Sequence, residues 1–129
     1  MKKLTPLLYV EEIEPVLSFW IERLGFQKIV ELPEGDRLGF VILSNSDVEI
    51  MYQTRASVQK DVPELAGAPM GGSFLFMEVE DLDRIEELLA GIEPVVPRRT
   101  TFYGADELIV REPAGNVVTF AHFAEGTPE

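Results

Sequence analysis

The sequence predicts an α+β fold made of two βαβββ modules, and three observations carry that prediction. Strand, helix, strand, strand, strand is the order of the predicted elements, and it repeats after residue 72. The repeat is visible in the residues themselves: Val10-Glu11-Glu12-Ile13 is echoed by Val79-Glu80-Asp81-Leu82, each at a strand-to-helix junction, and the two helices close on Gly25 and Gly91. The second half ends in a hairpin, Glu107 to Arg111 and Val117 to Phe123, around Glu112-Pro113-Ala114-Gly115-Asn116. There Pro113 presets φ for a turn position and Gly115 can take a positive φ. A single domain over residues 1–129 is expected, with module one at 4–54, a linker at 55–72 and module two at 73–124.

Leu7 to Val10 is apolar and partly β-branched, as a buried strand requires. Pro15 suits the first turn of a helix, whose apolar stripe is Leu17, Trp20 and Leu24 with Val16 and Ile21 beside it. Trp20 on that stripe is read as core. Strands follow at Phe26 to Leu32, Leu38 to Leu43 and Val48 to Gln53, separated by turns at Pro33 to Asp36 and Ser44 to Ser46. Periodicity lapses from Thr54 to Gly72, which reads as a crossing linker with a helical turn at Pro63 to Ala66; loops of that length suggest a functional or interface role. Phe74 to Val79 is the next strand. Glu80 to Asp83 caps a helix with the stripe Leu82, Ile85 and Leu89, followed by a short strand at Val95-Val96 and a loop from Pro97 to Ala105.

Composition narrows the function classes. At 129 residues the chain can bury roughly two-thirds of its unfolded surface, enough for a real core. The absence of cysteine excludes disulfides, thiol catalysis and thiolate ligation of a metal. No signal-peptide core and no apolar stretch of membrane-spanning length is present, so a cytoplasmic location and no membrane partner are expected. A net charge of −12 argues against nucleic acid, which needs a positive surface, and favours attraction of a cationic ligand.

Tyr9-Val10-Glu11-Glu12-Ile13, Phe19-Trp20-Ile21-Glu22-Arg23-Leu24-Gly25-Phe26 and Arg111-Glu112-Pro113-Ala114-Gly115-Asn116, taken in that order and spacing, resemble the vicinal oxygen chelate superfamily, also called the glyoxalase/bleomycin resistance/dioxygenase family. The resemblance implies paired βαβββ modules whose curled, mixed sheets form a cup, usually in a homodimer. Metal-dependent members place four ligands in that cup, one from each of four strands. Transferred to this sequence, those positions fall on Thr5, Met51, Phe74 and Thr119, with Glu49 and Gln53 sharing the face of Met51 by alternation. Thr5, Phe74 and Thr119 are not donors that Zn²⁺, Fe²⁺ or Ni²⁺ sites use, so no metal and no cofactor is expected. The one histidine, His122, is expected on the helix side of its sheet, without a catalytic duty.

The remaining lining of the cup is apolar and aromatic. Leu7, Tyr9, Met51, Phe74 and Phe76 face inward by alternation, with Glu49, Gln53, Thr5 and Thr119 as polar points. Phe74 and Phe76 either line a ligand pocket or fill a core. Phe102 and Tyr103 either cover a ligand or make dimer contacts. Arg98 and Arg99 either meet an anionic group or pair with surface acids, and Glu78 is a rim charge or simply solvated. The expected function is metal-free binding of a small molecule, similar to the bleomycin resistance proteins, with a cationic, bleomycin-like antibiotic as the model ligand. A lyase, isomerase or dioxygenase of the same superfamily is the alternative, with Glu49 or Glu78 available as a base. A regulatory dimer whose surface meets a protein partner is the third reading.

Overall fold

The computed structural model describes residues 1–124, so the end of the expected domain, 125–129, lies outside the described residues. The chain divides into two compact units, Met1–Gly71 and the part from Gly72 onward. Each repeats one topology.

In the first unit β1 (Leu7–Val10), β2 (Gln27–Glu34), β3 (Arg37–Asn45) and β4 (Val48–Thr54) form a four-stranded sheet in the order β1-β4-β3-β2. β1 runs parallel to β4 and the other pairs are antiparallel. Alternate residues divide this sheet cleanly. Leu8, Val10, Val41, Leu43, Ile50 and Tyr52 are buried on one face against the helix, and the intervening residues form the opposite face.

That helix departs from the expected stripe. α1 (Glu14–Leu17) runs on into one wider π-helical turn, Ser18–Arg23. Widening brings residues four apart into line, so Val16, Trp20 and Leu24 share the buried side with Phe19, while Leu17 and Ile21 are half-buried. Two adjacent bulky residues, Phe19 and Trp20, are thereby packed at once. Their rings meet edge-on at 4.9 Å, Phe26 closes on Trp20 at 4.9 Å, and the indole N–H donates to the Tyr52 hydroxyl at 2.8 Å. Trp20 is core, as read from the sequence. Each such burial contributes roughly 1.5–3 kcal/mol.

The expected linker is structured at its start. Thr54 caps α2 (Arg55–Asp61) by accepting from the Ser57 N–H at 3.2 Å, and a 3₁₀ turn follows at Pro63–Leu65. Val58 and Ala66 are buried, which is why this segment belongs to the first unit. Sequence periodicity misses it because seven helical residues offer one buried apolar position, Val58. Gly39 of β3 makes room here: a Cβ on it would lie 2.7 Å from the Glu34 Cβ and 3.3 Å from the Ser57 Cβ.

The second unit contains β5 (Phe74–Glu78), α3 (Leu82–Leu88), β6 (Val96–Thr100), β7 (Ala105–Arg111) and β8 (Val117–Phe123), in sheet order β5-β8-β7-β6. β5 is again parallel to β8. Asp81 caps α3 through the Arg84 N–H at 3.1 Å, and Leu82 and Leu89 are its buried stripe. Gly115 in the β7–β8 turn has φ of 95°, as the turn demands.

Two prolines expected in turn or loop lie in strands. Pro33 is in β2 and Pro97 in β6, both edge strands with an adjacent break in register. Edges and bulges are where a strand tolerates a missing N–H. The first hairpin turn is therefore Gly35-Asp36, the second Ser46-Asp47, and the expected Pro97–Ala105 loop shrinks to Thr101–Gly104.

Candidate functional site

In the first sheet, strand register places the sequence-predicted residues together. Leu7 lies opposite Met51 and Tyr9 opposite Gln53, with Glu49 two residues before Met51 on the same face. Leu7 is exposed, and Tyr9, Met51 and Glu49 are half-buried; this face is open where the helix face is closed. Two of its polar groups have partners within the unit. Glu49 accepts from Lys3 Nζ at 3.0 Å, and the buried Gln53 donates Nε2 to Ser57 at 3.0 Å and Asp61 at 3.4 Å. A hollow of about 300 Å³ adjoins Glu49, lined by Lys3, Thr5, Ser44, Ser46 and Asp47 among others.

In the second sheet Phe76 lies opposite Thr119, and Phe74 is one step along opposite Val117. Phe74 is 81% exposed and Phe76 56% exposed, so neither fills a core. Phe102 and Tyr103 sit on the Thr101–Gly104 turn, their rings edge-on at 5.0 Å, and Phe102 is 100% exposed. Tyr103 continues to Phe123 at 6.0 Å, and Phe123 to Phe76 at 6.4 Å. Three aromatic rings of the open face thus form a chain, with Phe102 at its outer end.

A residue that the sequence pattern does not single out sits beneath that chain. Glu107 is 2% exposed on the face shared with Ala121 and, two residues along, Thr119. One carboxylate oxygen accepts from Arg99 at 3.1 Å, and the other accepts from the Tyr103 hydroxyl. The signal that finds it is the hairpin register: Arg111 opposite Val117 puts Glu107 opposite Ala121 by counting alone. Neighbours in a strand point to opposite faces, so Arg98 turns the other way, toward α3, and pairs with Asp83, with Glu86 at 3.4 Å and with Asp106 at 3.9 Å. The Asp83 hydrogen bond, opposed by partial desolvation and reinforced by the Asp83 charge and by Glu86, holds its guanidinium still more basic than usual. Arg98 is a surface ion-pair residue; Arg99 belongs to the open face.

The resemblance read from the sequence assigns metal ligands to four positions of this chain. Thr5 and Met51 stand in the first unit and Phe74 and Thr119 in the second, and none is a carboxylate or imidazole. Among the described residues no group of three His, Asp or Glu side chains converges as a metal site needs. His122, on the face opposite Thr119 and Ala121, donates Nδ1–H to the Val79 carbonyl at 3.1 Å, a structural bond. No described helix is long and apolar enough to cross a membrane.

Comparison with known proteins agrees with this architecture. Residues 4–120 match the model of the Glyoxalase/Bleomycin resistance protein/Dioxygenase superfamily. No curated protein matches. Among solved structures, a glyoxalase/bleomycin resistance protein/dioxygenase from Nocardioides is similar with a TM-score of 0.71 at 20% identity, covering 97% of this chain and 85% of that one. The bleomycin-binding protein of Streptomyces verticillus, in complex with copper(II)-bleomycin, gives 0.63 at 24% identity over 97% and 98%. Lactoylglutathione lyase from Agrobacterium tumefaciens gives 0.73 at 15% identity over 93% and 92%. At such identities the likeness is one of fold.

Proposed function

The chain belongs to the Glyoxalase/Bleomycin resistance protein/Dioxygenase superfamily, and we propose that within it this protein binds and sequesters a small organic molecule without a metal. The exposed rings of Phe74 and Phe76 on an open sheet face carry the reading. Large apolar groups left in water as a contiguous patch mark a surface that something else covers. Leu7, Tyr9 and Met51 supply the corresponding apolar face in the first unit, with Glu49, Gln53 and Thr119 as polar points and Phe102 and Tyr103 as covering rings. The net charge of −12 draws cationic molecules inward, and aromatic faces attract them further. An amphiphilic, cationic antibiotic of the bleomycin kind is the model ligand, and a cytoplasmic homodimer the working form. The lyase, isomerase or dioxygenase alternative is disfavoured by Thr5, Met51, Phe74 and Thr119 at the ligand positions and by Lys3 holding the Glu49 carboxylate.

Native mass spectrometry of freshly purified protein tests this. A metal-free dimer that gains the mass of added metal-free bleomycin, or already carries an organic adduct, is the expected result. A stoichiometric divalent metal would overturn the reading and bring the enzymatic alternative forward.

A further inference from the structure

We infer that Arg99 is the anion-recognising group of the second unit's open face, and that the ligand carries a planar ring bearing a carboxylate or an equivalent anion. The inference rests on the small-molecule-binding reading of that face and adds the chemistry of one end of the ligand. Four observations combine. The Arg99 side chain is 53% exposed, although its partner Glu107 is nearly inaccessible. Only one of its nitrogens is used, donating to Glu107 at 3.1 Å, and the other N–H donors have no partner among the described residues. Glu107 is itself fixed from its second oxygen by the Tyr103 hydroxyl, so the carboxylate that aims the guanidinium cannot swing away. The aromatic chain Tyr103–Phe123–Phe76 begins at that same carboxylate.

An arginine whose fork is pre-aimed by a buried carboxylate loses little freedom when it binds, and its planar donors match a carboxylate. A ring on Phe76 and Phe123 with its anion toward Arg99 would use both halves of the surface. A simple cross-strand ion pair, Arg99 against Glu107, accounts for the 3.1 Å contact. It does not account for rings left exposed beside it. Together with the acidic field, the site describes an amphoteric aromatic molecule, cationic in sum and anionic at this end.

The test uses two fluorescent arenes of the same shape, 1-anilinonaphthalene-8-sulfonate and its neutral parent N-phenyl-1-naphthylamine, titrated into the full chain. Both should bind the unaltered protein, and Phe76→Ala should weaken both. Arg99→Ala should weaken the sulfonate about tenfold, the scale of one charge-assisted hydrogen bond, and leave the neutral probe unchanged. Arg98→Ala, which removes the same charge from the other face, should leave both unchanged. Equal losses of the sulfonate in the two arginine variants would reduce the effect to net charge and overturn the inference. So would an Arg99→Ala protein that binds the sulfonate as before. If the unaltered protein binds neither probe, the reading of the open face as a ligand surface falls, and this inference with it. Both arginines are exposed on an edge strand, so the variants are expected to fold, which a far-ultraviolet circular dichroism spectrum checks.

Discussion

Glu14 ties the start of the first helix to the sheet through one backbone bond. Its carboxylate accepts from the Leu38 N–H at 2.8 Å, and that bond, assisted by Arg37, holds the carboxyl below its ordinary 4.5. A carboxyl lowered on folding stabilises the protein above its unfolded value, and the contribution is lost as pH falls through the lowered, folded value. Urea midpoints measured from pH 6 to pH 3 should therefore drop less steeply in Glu14→Gln than in the unaltered protein. Identical slopes would show that the Leu38 bond carries no weight in solution. The group is exposed, so the difference is a small one. Single residues differ in how plainly the amino-acid sequence declares their place. Trp20 reads as core because a large ring on an apolar helical stripe has nowhere better to go. Glu107 does not, because a carboxylate in a strand reads as solvated until the register of its hairpin is known.

α2 is the element the sequence concealed. Its residues Arg55 to Asp61 are polar except for Ala56 and Val58, so no apolar period announces a helix. What makes it is a cap and a set of ties: Thr54 at its start, Gln53 reaching Ser57, Lys60 pairing with Glu34 at 2.6 Å and Arg55 with Glu11 at 2.7 Å. The acidic partners are distant in sequence, and a local pattern cannot register them. Thr54→Ala removes the cap and should cost about 1 kcal/mol in urea unfolding. Thr54→Ser should recover most of that loss; if alanine and threonine unfold alike, the cap is ornamental. The wider turn of the first helix escaped for a related reason. Phe19 and Trp20 are neighbours about 100° apart on an ordinary helix, so the sequence stripe kept Trp20 but left Phe19 out and gave Leu17 and Ile21 to the core instead.

On the scale of the molecule, the duplicated βαβββ order was fully legible, since the Val10 and Val79 junctions repeat one signal at one place in the topology. Strand limits were less so. Pro33 and Pro97 read as the ends of strands when each is inside one, because the rule against proline holds for central strands and relaxes at an edge. That placement has a consequence for how copies of the chain behave in concentrated solution. β2 is the outermost strand of its sheet and presents Ile29, Val30 and Leu32 to solvent, the makings of a segment that recruits identical segments into fibrils. Pro33 and the adjoining break in register interrupt the run just past Leu32. Replacing Pro33 with valine is thus expected to shorten the lag before thioflavin-positive material forms on prolonged incubation, and an unchanged lag would mean that the exposed edge is protected in another way. On this expectation a residue outside both proposed ligand faces, Pro33, governs how long the protein keeps in solution.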